Sequence, residues 1–111
     1  MAKVDEYRDY IKRILTEFSN YKSLNEEVET QTIFDTENDH YQLVHVGWRN
    51  KRRIYGCVLH VDIKDNKIWI QHDGTEIGIA GELEKLGVPK SDIVLGFHAP
   101  YKRKFTDFAV G

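Results

Sequence analysis

No stretch of this chain holds the roughly 20 consecutive apolar residues that a membrane-crossing helix needs. Its charged N-terminal end, MAKVDEYRD, lacks the pattern of a secretory signal. Neither membrane insertion nor export is expected, and a cytoplasmic location is. Cysteine is nearly absent. Cys57 stands alone, so no internal disulfide can form, which fits a reducing compartment. Positive charge is not in excess either, because 16 Lys and Arg face 18 Asp and Glu for a net charge of −2. No overall field draws in DNA, so any nucleic-acid contact must be local. Catalytic signatures are missing too: there is no GxGxxG, Walker loop, GxSxG, HExxH or cysteine pair. No catalytic residue, metal or cofactor is expected. Linkers, internal repeats and low-complexity tracts are absent, so residues 1–111 are expected to form a single α+β domain.

What remains is an ordinary folding composition. Hydrophobic residues make up 41% and charged residues 31%, which excludes wholesale disorder. A chain of 111 residues buries roughly 65% of its unfolded surface on folding.

The chain is organised around Asp39 to His72, where three runs rich in Val, Ile, Leu, Tyr and Trp are cut by polar turns. Such runs read as strands. In Lys64-Asp65-Asn66-Lys67 both central residues tolerate positive φ, as a two-residue hairpin requires. That turn pairs Ile63 with Ile68, Val61 with Ile70 and Leu59 with His72. A turn at Asn50-Lys51 sets Trp48 opposite Arg53, Val46 opposite Tyr55 and Val44 opposite Cys57. One face then carries Val44, Val46, Trp48, Tyr55, Cys57, Leu59, Val61, Ile63, Ile68 and Ile70 as the core. Cys57 is expected to be buried there and slow to react.

Residues 3–19 read as an amphipathic helix with Val4, Tyr7, Ile11, Ile14, Leu15 and Phe18 on one side. A polar connection follows over 20–27, then a first strand over 28–36. After the meander, Asp73 and Glu76 form a capping-box pattern for a helix over 76–86. Gly87 stops that helix and Pro89 prevents its continuation. Residues 93–98 read as a short last strand, and Phe105, Phe108 and Val110 are expected to dock the tail. The fold class is α+β: an N-terminal helix, a four-stranded antiparallel meander, a second helix and a short C-terminal strand.

Three groups of side chains carry candidate chemistry. His72, Asp73 and Glu76, with His98 as a further candidate, could meet near the start of the second helix, but a strand end and a helix cap already account for the first three. His45, His60 and Asp62 fall on the sheet face away from the expected core, without a metal signature. Two basic clusters, Arg49, Lys51, Arg52 and Arg53 at the first hairpin and Lys102, Arg103 and Lys104 near the end, lie among aromatics. Such mixtures can hold phosphates and stack bases, or simply be solvated turns.

The runs DHYQLVHVGW, RRIYG, IWIQHDGTE and HAPYKRKF, with the helix YRDYIKRILTEF, resemble the XisI-like family, the fdxN-element excision controlling factors. The resemblance covers essentially the whole chain. It implies a small α+β protein of cyanobacteria that controls excision of a DNA element during heterocyst differentiation. Its implied partners are a XisH-like companion protein and a site-specific recombinase, with direct DNA contact as the alternative. It supplies no catalytic residue.

On the expected register the second sheet face holds Tyr41, Leu43, Val58 and Trp69, with Leu43 opposite Val58 and Tyr41 opposite His60. A solvated face should alternate to polar residues, and this one does so only in part. Either one of the two helices covers this face, or these four residues are the candidate protein interface, for the companion or for a homodimer, with Trp69 as its anchor.

Overall fold

The computed structural model describes residues 2–20 and 27–111. Its elements are α1 (Ala2–Ser19), β1 (Val28–Asp35), β2 (His40–Arg49), β3 (Arg52–Lys64), β4 (Lys67–Asp73), α2 (Ile79–Lys85), β5 (Ile93–Leu95) and a last turn of helix, α3 (Pro100–Arg103). The five strands form one sheet in chain order. The first four are antiparallel neighbours, as tight turns dictate. Because α2 carries the chain across before β5, that strand joins β4 in parallel. This is the expected α+β class. Residues 21–26 of the expected polar connection lie outside the described residues.

Both hairpin turns follow from their residues. Asp65 and Asn66 take φ of 54° and 63°, and Asn50 takes 58°, the left-handed values that short polar side chains tolerate. Pairing near the turns is as expected: Trp48 with Arg53, Val46 with Tyr55, Val44 with Cys57, Ile63 with Ile68 and Val61 with Ile70.

Farther along, two β-bulges intervene. Between the pairs Leu43–Leu59 and Val44–Cys57, strand β3 carries one extra residue, Val58. Between His60–His72 and Val61–Ile70, β4 carries an extra Gln71. One extra residue inverts the facing of everything beyond it. The continuous alternation Tyr55, Cys57, Leu59, Val61, Ile63 is therefore split between two faces. Leu59, Val61, Ile63, Ile68 and Ile70 face the helices together with Tyr41 and Leu43. Tyr55 and Cys57 face solvent, with Tyr55 76% exposed. Leu59 pairs with Asp73 rather than His72, and Tyr41 with Val61 rather than His60. Cys57 is thus not a core residue, although desolvation against the sheet raises its thiol pKa. We expect a thiol reagent to label it in the native protein, faster as the pH rises. Protection that persists until denaturant is added would contradict the bulged register.

Helix α1 lays Tyr7, Ile11, Ile14 and Leu15 on this core, and α2 adds Ile79 and Leu83. Two carboxylates fasten α1. Asp39 accepts from Arg8 Nε at 2.8 Å and Nη2 at 3.1 Å, and from the Tyr41 hydroxyl at 2.9 Å. Asp92 accepts from the Tyr7 hydroxyl and pairs with Lys3 at 2.7 Å.

Helix α2 begins at Ile79, three residues later than the capping-box pattern predicts. Its cap comes from farther back: Asp73 Oδ2 accepts from the Ile79 N–H at 2.8 Å while Oδ1 holds Thr75. It ends as expected at Gly87, φ 103°, with Gly87 N–H bonded to Glu84 O and Val88 N–H to Leu83 O, the two bonds of a Schellman stop. Phe108 packs against the core, and Ala109 bonds to Ile93 O at 2.8 Å. Phe105 and Val110 do not dock; they are 79% and 59% exposed.

Candidate interaction face

Because α1 and α2 contribute to one core, neither of them packs on the opposite face of β1, β2 and β3. Strand alternation puts Ile33, Val44, Val46, Trp48, Tyr55 and Cys57 on that face, across three neighbouring strands. Ile33 is 50% exposed and Trp48 49%. Arg53 spreads its guanidinium 5.4 Å from the Trp48 ring centroid. With Arg49, Lys51 and Arg52, all exposed, it makes a cationic rim at the hairpin tip. Apolar ground rimmed by charge is the composition of a contact surface.

Toward β4 and β5 the same face is partly roofed by the C-terminal segment. Trp69 donates its ring N–H to Lys64 O at 3.2 Å, and Arg103 lies 5.2 Å from its ring centroid. Arg103 also donates to the carbonyls of His98 and Gly96 at 3.1 and 3.4 Å. It therefore ties its own segment down. Lys102 and Lys104 are exposed, each near an exposed aromatic, Tyr101 and Phe105 respectively.

The interface expected from sequence is corrected accordingly. Tyr41 and Leu43 are buried beneath α1, and Val58 leans on the same core, because the bulge at Val58 rotates them inward. Trp69 does occupy the outer face but is half-buried by its own tail. The side chains that take their place are Tyr55 and Trp48, which an unbulged register puts in the core. Their signal in the sequence is their position beside the basic turn, where a buried Trp and Tyr would leave Arg49, Arg52 and Arg53 without a nearby apolar face.

The histidines also sort differently. His45 lies on the helix side of β2, 3.2 Å from the Thr30 hydroxyl. His72 and Asp73 are consecutive on β4, and Asp73 spends one oxygen on Thr75 and the other on the Ile79 N–H that opens α2. His72, Asp73 and Glu76 therefore do not converge. A different trio does: His40 Nδ1 and His60 Nε2 stand 2.8 and 2.9 Å from the same oxygen, Asp62 Oδ1.

These features define a two-layer α+β protein with one face of its sheet packed and the other, over β1, β2 and β3, largely bare among the described residues. The XisI protein family matches residues 1–110, and the chain belongs to that family. It is similar to a XisI-like protein from Anabaena variabilis whose crystal structure superposes with a TM-score of 0.90. That protein is 48% identical, over 96% of this chain and 97% of its own. A second crystal structure from Anabaena variabilis, described as fdxN element excision controlling factor XisI, is 36% identical with a TM-score of 0.84. The match covers 98% of this chain and 99% of the other. No curated protein matches the chain. Among the described residues no helix is long and apolar enough to cross a membrane.

Proposed function

We propose that this protein controls excision of a DNA element and acts by binding other proteins, not by catalysis. Its partners in this reading are a XisH-like companion and, through it, a site-specific recombinase. The observation that carries the reading is the bare sheet face with Ile33, Trp48 and Tyr55 open to solvent. Exposed aromatic side chains next to arginine are frequent anchors of a protein interface. Family membership supplies the excision setting, through the relative described as an excision controlling factor. Co-expression with the companion is the test. Co-elution at mild salt is expected, and separate elution would overturn the reading.

A second reading has its own support. Arg53 stacks on Trp48, and Lys102 and Lys104 lie near exposed aromatic rings, the mixture that holds single-stranded or backbone phosphates. If DNA is the partner, a gel shift at low salt should vanish steeply as salt rises, because each phosphate contact releases counterions. Absence of any shift at low salt would exclude direct binding.

A further inference from the structure

The sheet carries, apart from the apolar patch, a cluster that the proposed function does not use. His40 and Asp62 are cross-strand partners on β2 and β3, and His60 lies two residues before Asp62 on the same face. Strand alternation therefore aims all three side chains outward from adjacent positions on a hydrogen-bonded ladder. Two nitrogens, His40 Nδ1 and His60 Nε2, converge on Asp62 Oδ1 at 2.8 and 2.9 Å. The three atoms lie within 4.8 Å of one another. The carboxylate is also held from behind, since Gln71 Nε2 donates to its other oxygen at 3.3 Å. That leaves Oδ1 for the imidazoles.

We propose that His40, His60 and Asp62 form a binding site for one divalent transition-metal ion of the zinc class. Two imidazoles and a carboxylate suit such ions, and would not attract magnesium, which prefers oxygen ligands. Three protein ligands with an open side match the pattern in which a water or an incoming group completes the shell. His40 supplies the open side, with half its side chain exposed. Asp62 is largely covered, and the Gln71 bond orients it as an outer-shell partner orients a ligand. Both bulges lie beside the trio, one at Val58 and one at Gln71, and bulges often re-aim side chains next to sites. Without the ion, the same atoms satisfy one another as hydrogen bonds. On binding, those nitrogens present lone pairs to the metal.

No linear signature announces this set, because the ligands meet across two strands instead of along a helix or a short loop. The test is calorimetric titration of the chelator-stripped full chain with Zn2+, and with Mg2+ in parallel. Saturable binding of one Zn2+ per chain and none of Mg2+ is expected, together with a higher melting temperature in Zn2+. His40→Gln and His60→Gln should each weaken Zn2+ binding by at least roughly tenfold. His98→Gln should leave it unchanged. Both ligand variants keep outward-facing polar side chains, so circular dichroism should report an intact fold. Absence of saturable Zn2+ binding would overturn the proposal. So would affinity unchanged in both ligand variants, or equally lost in His98→Gln.

Discussion

Gly47→Ala should lower stability by about 2–3 kcal/mol, the scale of a forced clash in a packed region, and the melting temperature by roughly 10–20 °C for a chain of this size. Gly47 pairs with Val28 at the start of β1. A Cβ built there would stand 2.1 Å from the Glu27 carbonyl oxygen and 2.8 Å from the Val28 Cα. Both are backbone atoms and cannot swing aside as a side-chain tip can. The entry of β1 must therefore move away from β2, which breaks the bond from Trp48 N–H to Glu27 O at 3.1 Å. The control is Gly56, in the same hairpin, where an added Cβ would meet nothing within 4 Å. Gly56→Ala should be neutral or slightly stabilising, since it only restricts the unfolded chain. Equal melting of the two variants would refute the close approach at Gly47.

Removing the Asp39 carboxylate should have the next largest effect. Its side chain is only 15% exposed, and it accepts three hydrogen bonds, two from Arg8 and one from the fully buried Tyr41. Hydrogen bonds to a charged group contribute about 1.5–3 kcal/mol. Asp39 also sits at φ 58°, a conformation asparagine tolerates and alanine resists by about 1–2 kcal/mol. Asp39→Asn should therefore cost about 2 kcal/mol, with Asp39→Ala costing more. The pH dependence has a definite sign. The Arg8 hydrogen bonds hold the Asp39 carboxyl below the usual carboxylate range, against an opposing effect of desolvation. Asp92 is also lowered: desolvation opposes ionisation there, but hydrogen bonds from Lys3 and Tyr7 outweigh it. A carboxylate with a depressed folded pKa adds stability above its unfolded value, near pH 4, that is lost as pH falls through the folded value. Wild type should lose stability on acidification below about pH 4, and Asp39→Asn should lose less over the same range. Parallel acid curves for the two proteins would contradict the fastening of α1 through Asp39.

Much of the architecture is legible in the sequence because local chemistry agrees with it. The stripe Tyr7, Ile11, Ile14, Leu15 does cover the core, Asp65-Asn66 does make the hairpin, and Gly87 does end α2. Most of what is not legible comes down to two extra residues. Val58 and Gln71 are an apolar and a polar residue in strands of unbroken β character, and nothing in the side-chain pattern marks them as bulged. A bulge is decided by the fit of hairpin twist to the helices above it, which is tertiary information. Its consequence is large. It moves Tyr41, Leu43 and Val58 into the core and turns Tyr55 and Cys57 out. The basic tip at 49–53 does lie at a turn, since polar turn residues declare themselves locally. The role of Arg103 as a tie across Gly96, His98 and Trp69 is hidden, because a lone arginine in a basic run gives no sign of which carbonyls it will meet.

In the proposed function the bare sheet face is where a partner docks, and one measurement addresses this directly. The double variant Trp48→Ala/Tyr55→Ala removes the two aromatic anchors from the exposed hairpin without opening a cavity in the core. Capture of a co-expressed XisH-like companion should fall at least roughly tenfold for the variant, the loss expected from truncating interface anchors, while its melting temperature stays close to wild type. Light scattering on each protein alone shows whether a second copy occupies the face instead. Undiminished capture by a variant that melts like wild type would contradict the assignment of this face.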